Sequence, residues 1–140
     1  MLETLKIKNL AVIDSADVPF EPGLNILSGE TGAGKSIVIE AISLLLGSRA
    51  TSDLVRSGTD EAVVEGAFST RDLPWLEARL ESAGFPAEDG TLLIKRTISR
   101  SGKHRISING SLATLRNLQE ICDGLVDLCG QNEHTYDRKS

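Results

Sequence analysis

Eight consecutive residues, Gly29-Glu30-Thr31-Gly32-Ala33-Gly34-Lys35-Ser36, follow the pattern G-x-x-x-x-G-K-[ST]. Phosphate chemistry gives each type a task. Gly29, Gly32 and Gly34 free the backbone to take conformations closed to residues with a Cβ, so successive N–H groups can turn inward around an anionic phosphate. Lys35 adds a point charge toward the β- and γ-phosphates, and the Ser36 hydroxyl is the expected magnesium ligand. A helix starting here would add unpaired N–H donors and a favourable dipole. A random chain of 140 residues would match on the order of once in two hundred. A glycine-rich turn without a ligand is therefore the weaker reading, and the chain is expected to bind a nucleoside triphosphate.

Such a loop works only between a strand and a helix. Leu24 to Ser28 reads as a short buried strand and Ser36 to Leu46 as a helix. That helix is apolar on most sides, with Glu40 and Ser43 the exceptions, so it should pack under a sheet until Gly47 ends it. Upstream, Leu2 to Lys8 alternates as a half-buried strand and Val12 to Phe20 makes a second. The short Asn9-Leu10-Ala11 connection predicts that the two pair as a hairpin.

Downstream, Glu61 to Ser69 predicts a strand and Pro74 to Ala83 a short helix closed by Gly84, with Trp75 assigned to the core beside Leu76 and Leu80. Leu92 to Ser99 and Arg105 to Asn109 predict a hairpin turning at Ser101-Gly102. Leu112 to Cys122 has helical spacing at Leu115, Leu118 and Cys122, and Leu125 to Leu128 reads as a buried strand ending at Gly130-Gln131. The expected fold is α/β, with a β-rich subdomain over about 59–110 beside the nucleotide loop.

The chain has 40% hydrophobic residues, enough for a core, and a formal charge of -5 that argues against a generally basic nucleic-acid-binding surface. Its two cysteines, Cys122 and Cys129, match no zinc or redox spacing and read as reduced core thiols. No signal segment or membrane span is recognised, so a cytoplasmic protein is expected.

The opening hairpin, the loop Gly29 to Ser36, Gly47-Ser48-Arg49-Ala50, Asp53 to Gly58, Ile108-Asn109-Gly110 and Gly130-Gln131 together resemble the N-terminal half of the head of bacterial RecN. RecN-type proteins act in DNA double-strand-break repair and are related to the structural-maintenance-of-chromosomes (SMC) ATPases. The resemblance covers nearly the whole chain, and its specificity lies in the ordered set of motifs, since the phosphate loop alone is widespread.

The resemblance implies a P-loop, ABC-type mixed α/β half-head that binds ATP and Mg2+, with ATP sandwiched between two heads of a homodimer. It also implies a C-terminal half of the same head beyond a long coiled coil, DNA as a partner, and a bacterial, nucleoid-associated location. Gly29, Glu30, Thr31, Gly32, Ala33, Gly34, Lys35, Ser36 and Ile37 would hold the triphosphate. Ser36 and Gln131 would bind the metal, with Lys35 and Gln131 the catalytic pair, because an amide can coordinate a hard cation through oxygen and orient water through N–H. Arg56 matches an arginine that SMC-type heads hold near the nucleotide and the DNA-facing surface. Solvated pairing of Arg49 and Arg56 with Asp53 or Asp60 is an equal alternative.

The chain departs from the family pattern at two places. Asn132 stands where relatives usually have histidine, with His134 two positions on, and Ala11 stands where some SMC-like heads carry an arginine directed at the γ-phosphate. The Asp-Glu strand and the serine-glycine signature that hydrolysis in this class requires are absent from these 140 residues; Leu125-Val126-Asp127 is followed by Leu128. The chain alone is expected to bind nucleotide weakly and hydrolyse little.

Two other readings stand beside this one. Asp127-Leu128-Cys129-Gly130-Gln131 fits the D-x-x-G-Q pattern of a GTPase, although about ninety residues separate it from the phosphate loop and no Asn-Lys-x-Asp motif occurs. A non-catalytic DNA or assembly module would use Lys95, Arg96, Arg100, Lys103 and Arg105, with Arg56, Arg100 and Lys103 the candidate nucleic-acid contacts. Strand alternation argues against one shared face.

Overall fold

The computed structural model describes residues 2–19 and 32–125. Leu2–Leu10 (β1) and Ile13–Pro19 (β2) form the expected antiparallel hairpin, with Leu5 opposite Val18 and Ile7 opposite Ala16. β1 pairs on its other edge with Glu61–Ser69 (β3), and a register shift between Leu2 and Thr4 lets Leu2, Leu5 and Ile7 all be buried. Thr91–Ser99 (β4), Arg105–Ile108 (β5) and Ser111–Ala113 (β6) follow. The resulting six-stranded sheet has the order β2-β1-β3-β4-β5-β6, and each pairing in it is antiparallel. The opening hairpin and the later strands thus share one layer.

Strand β6 corrects the sequence reading. Leu112 is the middle of a strand and 75% exposed, where helical spacing had placed it at a helix start. Asn109 and Gly110 both have positive φ, 50° and 86°, between paired Ile108 and Ser111. This two-residue Asn-Gly loop closes a hairpin whose twist suits the flanking strands. Helix α3 spans Leu115–Ile121, and its start is set by Thr114, whose side chain accepts from the Asn117 N–H while Asn117 Oδ1 accepts from the Thr114 N–H.

Helix α2 (Pro74–Ala83) lies where the sequence places it: Pro74 begins it, and Gly84, at φ 92°, ends it with the Phe85 N–H reaching Leu80 O at 2.8 Å. Leu76 and Leu80 are buried, but Trp75 is 39% exposed and holds the Arg79 guanidinium over its ring at 4.8 Å. Trp75 is therefore a surface platform and not a core residue. Arg79 also donates to Glu120 O, Ile121 O and Asp123 O, satisfying carbonyls at the end of α3.

Helix α1 (Gly32–Leu45) lies on the sheet and buries Ala41, Ile42, Leu44 and Leu45. It approaches β3 closely enough that a Cβ at Gly66 would overlap the Leu45 Cδ1 methyl and sit 3.4 Å from Leu2 Cδ1. Replacing Gly66 by valine is expected to lower stability by about 1–3 kcal/mol through overpacking. A chemical-denaturation midpoint unchanged from the native protein would refute that packing argument.

The opposite sheet face carries Asp17, Lys6, Glu65 and Lys95 in one register row, each beside a neighbour of opposite charge. Among the described residues no helix is long and apolar enough to cross a membrane.

Candidate nucleotide-binding site

Helix α1 begins at Gly32, inside the glycine-rich motif and four residues ahead of the Ser36 start expected from hydrophobic pattern. Gly32, Ala33, Gly34, Lys35 and Ser36 therefore supply its opening turn, whose first N–H groups have no intrahelical acceptor. No acidic residue occurs in that turn to compete for them. Such a helix end favours an oxyanion through both its donors and its dipole. Ile37, next along, packs partly buried against the core with Val38. Gly29, Glu30 and Thr31, the strand read over 24–28, and Asp127, Cys129, Gln131, Asn132 and His134 lie outside the described residues.

The other end of α1 is anchored by side chains from distant parts of the chain. Arg96, on β4 and only 3% exposed, donates through Nη1 to Leu44 O at 2.9 Å and also to Ser48 O. Burial pushes its guanidinium pKa below the usual arginine value. Its position is a favourable one for a cation, since the last carbonyls of a helix lack the regular intrahelical partner and carry the negative end of the dipole. Gln119 on α3 donates to Gly47 O at 2.9 Å, and the buried Cys122 Sγ reaches Leu45 O at 3.6 Å.

Gly47 ends α1, as its sequence predicts, at φ 111°, and a Cβ there would stand 2.8 Å from Gln119 Cγ. Sequence reasoning missed Arg96 as an anchor. The available signal was its parity with Ile94 and Ile98, which share the buried face of β4.

Arg56 sits in a loop tied to the β1–β2 turn. Its N–H donates to Asn9 O at 2.9 Å, the Ala11 N–H donates to Leu54 O at 2.7 Å, and Leu10 and Val55 form an antiparallel bridge. The Arg56 carbonyl accepts from the Thr59 N–H at 3.1 Å and from Thr59 Oγ1 at 2.8 Å. Its side chain differs: Nε is buried with no hydrogen-bond partner. The ion pairs among the described residues are Arg105–Glu61 and Arg116–Glu120, so Arg56 is not held by Asp53 or Asp60.

The basic residues of the β4–β5 hairpin do not form one surface. Arg96 is buried beneath α1, Lys95 faces the other side of the sheet, and Arg105 stands 3.7 Å from Glu61. Lys103 is exposed at the hairpin turn. Arg100 turns its guanidinium toward the Arg56 loop, donating to Thr59 O, Val55 O and Arg56 O.

The AAA domain family matches residues 4–138, nearly the whole chain. The chain belongs to this family. Within it, the chain corresponds to the N-terminal ATPase-head region of RecN. It is 46% identical over 134 residues to the DNA repair protein RecN of Halalkalibacterium halodurans, covering 96% of this chain and 24% of that protein. It is 43% identical over 134 residues to RecN of Bacillus subtilis, covering 96% of this chain and 23% of that protein.

The RecN-type chain thus spans about a quarter of the length of these curated bacterial relatives. A solved structure from work on ATP-driven dimerization and DNA-stimulated activation of SMC ATPases superposes with a TM-score of 0.67 at 25% identity, covering 86% of this chain and 76% of the other. The SMC head with coiled coil and joint from Pyrococcus yayanosii gives a TM-score of 0.65 at 26% identity, covering 86% and 24%. The RecN-type fold is therefore that of an SMC/ABC-like ATPase half-head.

Proposed function

We propose that this chain is the ATP-binding half of a RecN-type ATPase head that uses ATP to join two heads on DNA during double-strand-break repair and recombination, in the bacterial cytoplasm. The observation that carries the reading is the start of α1 at Gly32, inside the G-x-x-x-x-G-K-S motif, which directs a helix N-terminus at the place a triphosphate would occupy. Gly29 to Ile37 would hold the nucleotide. ATP and Mg2+ fit the donor set, since free helix-start amides and a lysine suit phosphate oxygens and the Ser36 hydroxyl and Gln131 amide oxygen suit a hard cation. When bound, a magnesium ion held by Ser36 and Gln131 would supply charge neutralisation to the triphosphate.

The chain's own residues orient and neutralise. Lys35 adds fixed positive charge where negative charge develops in phosphoryl transfer, and Gln131 would orient the attacking water. The anchors at Leu44, Gly47 and Ser48 keep the helix from shifting when the anion binds at its far end. The Asp-Glu strand and signature motif do not occur in the 140 residues, so turnover would require the other half of the head and the opposing head. A homodimer cross-linked through ATP would form on binding and separate on hydrolysis.

A base-selectivity titration on the full-length gene product tests this proposal. ATP is expected to bind and turn over in clear preference to GTP, and the isolated chain is expected to hydrolyse neither at an appreciable rate. Preference for GTP would favour the Asp127-Gly130-Gln131 reading instead. ATP turnover by the isolated chain, abolished by Lys35→Ala, would overturn the split-site reading.

A further inference from the structure

We propose that Arg100 is a positioning residue for Arg56: its guanidinium latches the Val55–Thr59 loop and so fixes the direction in which Arg56 presents its own guanidinium to a phosphate oxygen. This rests on the functional reading of Arg56 carried by the proposed head. The latch is built from both ends of Arg100. Its backbone N–H donates to Asp60 O at 2.9 Å, while Nε donates to Thr59 O at 2.9 Å and Nη2 to Arg56 O at 2.8 Å and Val55 O at 3.3 Å. One side chain thereby holds three carbonyls that lie more than 40 residues away.

These bonds converge on the residue whose side-chain Nε is left unsatisfied. The Arg56 carbonyl accepts from Arg100 Nη2, the Thr59 N–H and Thr59 Oγ1, and its N–H is bound to Asn9 O. Arg56 Nε, in contrast, is buried with no acceptor. A buried guanidinium N–H without a partner is costly, and bonds to both the N–H and the carbonyl of Arg56 fix the Cα–Cβ direction from which its side chain departs. Arg56 as a residue is only half-buried, so the outer end of its guanidinium, beyond the enclosed Nε, is what would meet an incoming phosphate oxygen in a charge-assisted hydrogen bond. The planar fork reaches the three carbonyls from two separate nitrogens, Nε and Nη2, whereas an ammonium offers its donors from one nitrogen on a shorter stem, so the latch favours arginine. The requirement also explains a basic residue at Arg100 without a DNA contact.

The test uses the full-length gene product with Arg100→Ala, Arg100→Lys, Arg56→Ala and the Arg56→Ala/Arg100→Ala double variant. Steady-state ATP turnover, hydrogen exchange over 54–60 and melting temperature are read for each. Both Arg100 variants are expected to lose about tenfold in kcat with KM within about twofold, because misplacing a charge-stabilising group acts mainly on the transition state. Exchange should rise at the Thr59 amide while the melting temperature holds within a few degrees. The double variant should be no slower than Arg56→Ala alone, the signature of one residue acting through another.

Additive losses in the double variant, native kcat in Arg100→Ala, or full rescue by lysine would overturn the latch while leaving the Arg56 reading standing. Global unfolding of both Arg100 variants would also overturn it, making Arg100 a stability element. Native kcat in Arg56→Ala would remove the Arg56 reading and the latch together.

Discussion

Replacing Lys35 by alanine in the full-length gene product is expected to lower kcat/KM for ATP by about a hundredfold or more, the scale associated with removing one preorganised charge-stabilising group. The loss should appear in binding as well as turnover. Lys35 lies in the opening turn of α1, on the same helix end as the free backbone donors, so under the proposed reading its charge and those donors would act on one anion. Arginine at this position would keep the charge but change its reach and geometry, and is expected to rescue little. Equilibrium binding of a fluorescent ATP analogue, together with steady-state hydrolysis, checks the prediction. Native affinity and turnover in Lys35→Ala would mean that the nucleotide is held and cleaved without this motif's lysine, and would refute the assigned role.

The Arg96→Met variant is expected to lose about 2–4 kcal/mol of stability. The side chain is buried and donates to Leu44 O and Ser48 O, and methionine fills much of its volume while leaving both carbonyls without that donor. Part of the loss is offset because the buried guanidinium no longer has to be desolvated. Arg96→Lys should fall between, since an ammonium keeps the charge near the helix end but its shorter stem does not reach the place of Nη1, which makes both bonds. Urea denaturation gives the magnitude, and hydrogen exchange should localise the change to residues around 44–48. A loss below about 0.5 kcal/mol in Arg96→Met would show that solvent or a neighbouring donor replaces the guanidinium and that Arg96 does not anchor α1.

The reading of local elements succeeded where side-chain period and turn chemistry agree. Glu61–Ser69 and Pro74–Ala83 have the bounds their patterns predict, and Gly47 and Gly84 end their helices with positive φ. It failed at Leu112, where apolar spacing matched a helix but the Asn109-Gly110 turn and the Thr114 cap put a strand first and start the helix at Leu115. It failed again at Trp75: position beside two buried leucines suggested a core residue, yet the ring lies at the surface under Arg79. At Leu112 the helical spacing extends one turn too far toward the N-terminus, and at Trp75 a place beside buried leucines suggests burial, though apolar side chains also occupy a substantial part of protein surfaces.

From its sequence alone, the chain determined the phosphate-loop motif, the hairpins and helices around it, and its likeness to a RecN-type head. These are local or ordered features, written in residues close together or in motifs of fixed succession. Only the tertiary structure decided that the strands run β2-β1-β3-β4-β5-β6, that Arg96 holds the end of α1, and that Arg100 holds the loop of Arg56. The physical reason is range. Arg96 and Leu44 are 52 residues apart and Arg100 and Arg56 are 44 apart, and although strand parity marks Arg96 as inward-facing, nothing in period, spacing or turn chemistry says which distant carbonyl a long side chain will reach.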